Sequence, residues 1–123
     1  MVPAPLRAGA AALLGITLLL VLGRPAAAHA ILVAATPAAK STVQGPDVAV
    51  RLRFNSRIDG ARSHLSLRLP DRSVRDLALA PQGSPEVLAA QAKGLAAGPY
   101  RLRWQVLAAD GHITRGEIPF QVK

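Results

Sequence analysis

The residues with the most chemistry to offer stand near the end of the chain, at Asp110-Gly111-His112. In an extended backbone residues i and i+2 project to the same side, so Asp110 and His112 can present a carboxylate and an imidazole together. Gly111 lets the chain bend between them. Such a pair is a two-ligand clip for a metal ion. The same three residues also read as an ordinary turn, since Asp-Gly is a favoured turn pair and the following histidine a common polar loop residue. No nucleophile motif of the Gly-x-Ser-x-Gly type accompanies them, and no Ser-His-Asp arrangement is readable.

The clip is positioned by the stretch before it. Tyr100, Leu102, Trp104 and Val106 alternate with Arg101, Arg103 and Gln105. That period of two is the pattern of a strand with one buried and one solvated face. Trp104 is expected to anchor the core, and neither it nor Tyr100 needs a cofactor to account for it.

The first 28 residues do not read as part of a fold. Arg7 supplies a basic start, Ala8 to Leu22 is an uninterrupted run of apolar, Gly and Thr residues, and Gly23-Arg24-Pro25 breaks it before Ala26-Ala27-Ala28. Small residues at Ala26 and Ala28 fit the rule for signal peptidase, which places the cut before His29. The alternative, an uncleaved anchor, fits less well, because the run falls short of the roughly 18 to 20 residues a spanning helix needs. Residues 1–28 are therefore expected to be a cleaved signal peptide, and His29 to Lys123 one small domain.

The chain has no cysteine, which excludes disulfides, zinc ribbons and thiolate chemistry. Without Arg7 and Arg24, 13 basic residues face 7 acidic ones, a net charge of +6. The arginines sit on alternating strand positions with few aromatics among them, and an export signal removes the protein from nucleic acid, so no nucleic-acid role is expected. A solvated basic face, resting against anionic membrane lipid or an acidic partner, accounts for the excess.

Taken in order, His29 to Ala35 reads as a short edge strand ended by Thr36-Pro37, and Lys40 to Asp47 as a turn-rich connection. Val48, Val50, Leu52 and Phe54 alternate with polar residues or alanine in a second strand. Asn55 to Ser63 reads as a loop, Leu65 to Leu69 as a third strand, and Val74 to Leu79 as a fourth, paired through a short hairpin, with Val74 and Leu77 or Leu79 as core candidates. Glu86 to Ala92 is expected as a strand, although its alanines also suit a helical turn. The Tyr100 strand and a last one over Ile113 to Val122 complete the set, with Ile118, Phe120 and Val122 on one face. Short strands at this spacing, with Gly- and Pro-rich turns and no helix, predict an all-β antiparallel sandwich.

Several stretches together resemble one family. They are His29-Ala30-x-Leu32 with Thr36-Pro37-Ala38, Val50-x-Leu52-x-Phe54, and Leu95-x-x-Gly98-x-Tyr100-x-Leu102-x-Trp104-x-Val106. Asp110-Gly111-His112-x-x-x-Gly116 and Phe120-x-Val122 complete the pattern, which is similar to that of the CopC family of periplasmic copper-resistance proteins. The resemblance implies an immunoglobulin-like β-sandwich or barrel of about seven strands with Greek-key connections. It also implies one Cu(II) ion per chain, bound by the α-amine and imidazole of His29, the imidazole of His112 and the carboxylate of Asp110. Two imidazoles, an amine and a carboxylate suit the tetragonal preference of Cu(II). An α-amine also gives up its proton to a metal more readily than a lysine does. This donor set would exist only once the signal is removed.

The chain departs from the family pattern in two places. Its only methionine is Met1, so no thioether Cu(I) site of the kind found in some relatives is expected. Where many relatives carry an acidic residue after the second strand, this chain has Phe54-Asn55-Ser56, which predicts weaker binding or looser ligand orientation. Asp59 is close enough in sequence to supply a replacement carboxylate. His64, outside the family pattern, is expected to be a solvated histidine rather than a ligand.

The expected function is that of a monomeric Cu(II) carrier or buffer of the periplasm, not an enzyme, serving copper resistance. The family resemblance, not the residues, implies its partner, an inner-membrane copper importer of the CopD type or another periplasmic copper acceptor. Two other readings stand beside it. One is a copper redox enzyme of the histidine-brace type, disfavoured by a carboxylate where oxygen activation wants an open position. The other is a metal-free immunoglobulin-like interaction module.

Overall fold

A computed structural model of the chain describes residues 29–123; the expected signal peptide, residues 1–28, lies outside them. Eight strands run in order: β1 (Leu32–Thr36), β2 (Thr42–Val43), β3 (Val48–Phe54), β4 (Ile58–Arg68), β5 (Val74–Leu77), β6 (Val87–Ala92), β7 (Gly98–Ala108) and β8 (Ile113–Val122). They form a three-stranded sheet, β1-β3-β6, and a five-stranded sheet, β2-β8-β7-β4-β5. All pairings are antiparallel except the two-residue match of β2 to β8. The chain changes sheet at every step from β1 to β4 and again on either side of β6, so β3 pairs with β6 and β4 with β7. These non-consecutive pairings are the crossings of a Greek-key sandwich.

The core lies between the sheets and is built by period-two alternation. On β3 every second residue, Val48, Val50, Leu52 and Phe54, is buried. Leu52, Leu67, Leu102 and Val106 have no exposed surface at all. Tyr100 stacks on Phe120 with ring centroids 5.7 Å apart, and its hydroxyl donates to the Ala96 carbonyl at 2.7 Å. A buried tyrosine tied back to the preceding turn in this way pins the entry of a strand in immunoglobulin-like folds.

Trp104 is a correction to the expected core anchor. It is only half-buried and packs against the core from its edge, with its ring 5.2 Å from Phe54 at 69°. Gly116 is its cross-strand partner. A Cβ at Gly116 would come within 2.6 Å of the Trp104 ring, so the indole occupies the space a side chain there would take.

Other differences have local causes. The segment from Ile58 to Ser63, expected as loop, belongs to β4. Its pairing with β7 is interrupted between Asp59 and His64, and the bulge destroys the alternation by which a strand is recognised. Ser63 is buried in the irregularity, donating to the Asp59 carbonyl at 2.6 Å and accepting from Leu107 N–H at 3.2 Å. β2 arises inside the expected connection because Thr42 and Val43 lie beside the end of β8. On β5, Leu77 faces inward while Val74 is 52 % exposed, which settles the register against Val74 as a core residue. The expected first strand begins at Leu32, leaving His29 to Ile31 as an arm ahead of it.

Candidate metal centre

The β7–β8 connection is a tight hairpin loop. Ala108 N–H donates to the His112 carbonyl at 2.8 Å, and Gly111 N–H to the Ala108 carbonyl at 2.9 Å. Gly111 takes φ +87°, a left-handed conformation that glycine reaches without strain. Within the loop the Asp110 carboxylate accepts from His112 twice, from its backbone N–H at 3.0 Å and from ring Nδ1 at 2.8 Å. These bonds hold the Asp110 carboxyl below the usual carboxylate range, the backbone N–H first and the imidazole second. The clip expected from three residues of sequence is thus a closed local structure.

The third side chain arrives from the other end of the described chain. His29 Nδ1 lies 3.7 Å from the same Asp110 oxygen that His112 contacts, and the two imidazole rings meet edge to face at 4.8 Å. Each of the three residues offers a ligand atom, and these atoms lie within 4.8 Å of one another. A first-row metal ion sits about 2.0–2.2 Å from such donors, so a small side-chain rotation would close the group around an ion. Two imidazole nitrogens and a carboxylate oxygen also fit copper by donor type. The side chains of His29 and His112 are 49 % and 65 % exposed, whereas Asp110 is 22 % exposed. All three residues are exposed, the carboxylate least and the imidazoles most.

The residues that hold the His29 arm carry no motif that marks them in the sequence. Asn55 grips Ile31 twice: its side-chain oxygen accepts from Ile31 N–H at 2.8 Å, and its own N–H donates to the Ile31 carbonyl at 2.9 Å. The Thr114 hydroxyl donates to the Ala30 carbonyl at 3.2 Å, and Ala30 is itself buried. One signal was available for Asn55, because an asparagine just past a strand commonly bonds to nearby backbone. Its partner, 24 residues away, was not available.

Ser56 and Asp59 complete the picture. The loop carrying Ser56 touches both halves of the group's scaffold, through Asn55 to Ile31 and through the Arg57 carbonyl, which accepts from Ala109 N–H at 3.2 Å. The Ser56 hydroxyl is buried without a hydrogen-bond partner, alone in this among the described side chains. Asp59 does not replace the missing carboxylate. It caps its own bulge, accepting from Ala61 N–H at 3.0 Å and lying 3.9 Å from Arg62, and it stands outside the three-residue group. His64 is exposed on the outer face of β4, opposite Gln105, and is likewise outside the group.

Comparisons with known proteins agree with this architecture. The copper resistance protein C of Xanthomonas campestris pv. juglandis is 29 % identical over 104 residues, covering 78 % of this chain and 81 % of that protein. Among solved structures, CopC from Methylosinus trichosporium OB3b superposes with a TM-score of 0.69 at 33 % identity, over 77 % of this chain and 94 % of that one. PcoC, a methionine-rich copper resistance protein from Escherichia coli, gives a TM-score of 0.66 at 28 % identity, over 78 % of this chain and 100 % of that one. The family model of the CopC domain matches residues 32–123, and with nearly all of the sandwich inside that match the chain belongs to the CopC family.

Proposed function

We propose that the protein is a periplasmic Cu(II) carrier or buffer serving copper resistance, with one ion held at the end of the sandwich. Residues 1–28 would be removed on export, making His29 the first residue. Its α-amine and imidazole, the His112 imidazole and the Asp110 carboxylate would then surround the metal. The observation that carries this reading is the convergence of His29, Asp110 and His112 into one group from segments about eighty residues apart.

The chemistry of the group favours holding and passing on an ion. All described donors are nitrogen or oxygen, which suits Cu(II) better than Cu(I). The Asp110 carboxylate, if it held the ion, would fill a position that oxygen activation needs open, which weighs against a copper oxidase. The exposure of both imidazoles leaves a bound ion within reach of an acceptor. An inner-membrane importer of the CopD type, or another periplasmic copper protein, is the acceptor we propose, met by a monomer.

The test is an intact mass of the exported protein, followed by Cu(II) titration of the same sample under electron paramagnetic resonance. A start at His29 and one equivalent in a nitrogen-rich tetragonal signal are expected. Adding one glycine before His29 should then abolish that signal, because the amine and imidazole no longer belong to the same residue. Stoichiometric copper unaffected by that glycine, or by His112→Ala, would sink the proposal.

A further inference from the structure

A groove of about 660 Å³ opens at the opposite end of the five-stranded sheet, between the β4–β5 turn and the first residues of β7. Lys40, Arg68, Arg72 and Arg101 line it, and no carboxylate does. Arg101 shares Glu117 with Arg103, at 3.2 and 3.4 Å. Among the described residues Lys40, Arg68 and Arg72 make no ion pair. Arg101 lies near the start of β7 and Asp110 follows its end, so the groove and the metal group are more than about 20 Å apart along the strand.

Backbone conformation singles out two of these cations. Lys40 at φ 67° and Arg72 at φ 74° are the non-glycine residues with positive φ among those described, and both line the groove. A side chain in that region costs roughly 1 kcal/mol, which glycine avoids and asparagine tolerates. The β4–β5 turn that holds Arg72 has the same hydrogen bonds as the β7–β8 turn, where glycine stands in the matching place. Strain retained at a position points to a use for the side chain there.

We propose that this groove docks an acidic segment of a partner protein, with its carboxylates gripped by Lys40, Arg68 and Arg72. Guanidinium forks bind carboxylates through two parallel hydrogen bonds, and the cations face one concavity rather than a plane. A bilayer fits less well. None of the exposed large apolar side chains, Ile31, Val33, Val74 and Ile113, lines the groove, so it has no wedge to insert into lipid. The groove is separate from the metal group, and the proposal holds with or without copper.

The experiment is a titration of the exported protein with labelled hexa-aspartate, read by fluorescence anisotropy at low and high ionic strength. Saturable binding that salt weakens is expected. The double variant Lys40→Asn, Arg72→Asn should bind about 5- to 10-fold more weakly, with its thermal midpoint no lower, since asparagine accepts the left-handed backbone. The double variant Arg51→Asn, Arg53→Asn, which removes the same number of charges from the exposed face of the other sheet, should bind as the parent does. Absence of binding, or an equal loss in Arg51→Asn, Arg53→Asn, overturns the proposal, the second because it reveals attraction by net charge alone. So does sedimentation with phosphatidylglycerol vesicles without peptide binding, which would make lipid the occupant.

Discussion

The two ends of the five-stranded sheet are closed by the same turn put to different uses. In the β4–β5 hairpin Leu69 N–H donates to the Ser73 carbonyl and Arg72 N–H to the Leu69 carbonyl, both at 2.8 Å. The β7–β8 hairpin repeats this with Ala108, Gly111 and His112 at 2.8 and 2.9 Å. In each, an aspartate accepts from the backbone N–H and side chain of the residue two positions on, Asp71 from Ser73 and Asp110 from His112. Ser73 spends its hydroxyl on Asp71. His112 has a second ring nitrogen left over, and its aspartate also faces His29. One backbone device therefore closes its hydrogen bonds within the turn at one end and presents an imidazole beside the His29 arm at the other, and side-chain chemistry makes the difference.

If that contrast is right, His112→Ala should lower Cu(II) affinity by more than the roughly 10- to 100-fold that an outer-sphere partner carries, while Ser73→Ala leaves it unchanged. Titration against a competing chelator reads both. Equal effects would mean that the turns differ less than their chemistry suggests.

The left-handed position offers a second contrast. Gly111→Ala should cost about 1–2 kcal/mol in denaturant unfolding. Nothing lies within 4 Å of a Cβ there, so the penalty is backbone strain alone. Arg72→Gly should go the other way, raising stability by up to about 1 kcal/mol. A loss in Arg72→Gly would show that the arginine is held by contacts rather than tolerated under strain.

Smaller effects are expected from Asn55, which lies outside the three-residue group but holds the arm that carries His29. Asn55→Ala should cost about 1 kcal/mol of stability and weaken copper about 10-fold. Asn55→Asp, which keeps the accepting oxygen, should recover most of both. Unchanged copper affinity in Asn55→Ala would show that the arm needs no clamp.

The smallest effect is one of pH, and it compares the two aspartates directly. Both carboxyls are held below the ordinary value of 3.8, Asp71 chiefly by the Ser73 hydroxyl and Asp110 chiefly by the His112 N–H. The contribution of each to stability is complete above that ordinary value and is lost only as pH falls through the lowered one. Carboxyl resonances followed by NMR in the metal-free protein should show both midpoints below 3.8. A midpoint at or above that value for either residue would remove the hydrogen-bonded turn from which it is argued.

Much of this molecule was legible in its sequence. The alternation on β3, β7 and β8 marked the buried faces because a strand repeats every two residues, and Gly and Pro marked most turns. The proximity of Asp110 and His112 was legible too, but through the turn reading of Asp-Gly rather than the extended one: both lie in the turn between β7 and β8, where Gly111 takes a positive φ and His112 bonds back to Asp110. Signals failed where local rules break. The bulge in β4 hid six residues of strand, Ile58 to Ser63. Trp104 kept the periodicity of a core residue while lying at the core's edge over Gly116.

By itself, then, the sequence determined the all-β class, the facing of its longest strands, the Asp110-His112 clip, the absence of thiol chemistry and the basic charge. The tertiary structure alone decided that the His29 arm lies beside that clip and that Asn55 and Thr114 hold it there. It also excluded Asp59 from the group and gathered Lys40, Arg68 and Arg72 around one groove. The physical reason is distance along the chain. Local patterns carry periodicity and turn chemistry, whereas contacts between remote segments depend on which strands pair and on the irregularities that set their register.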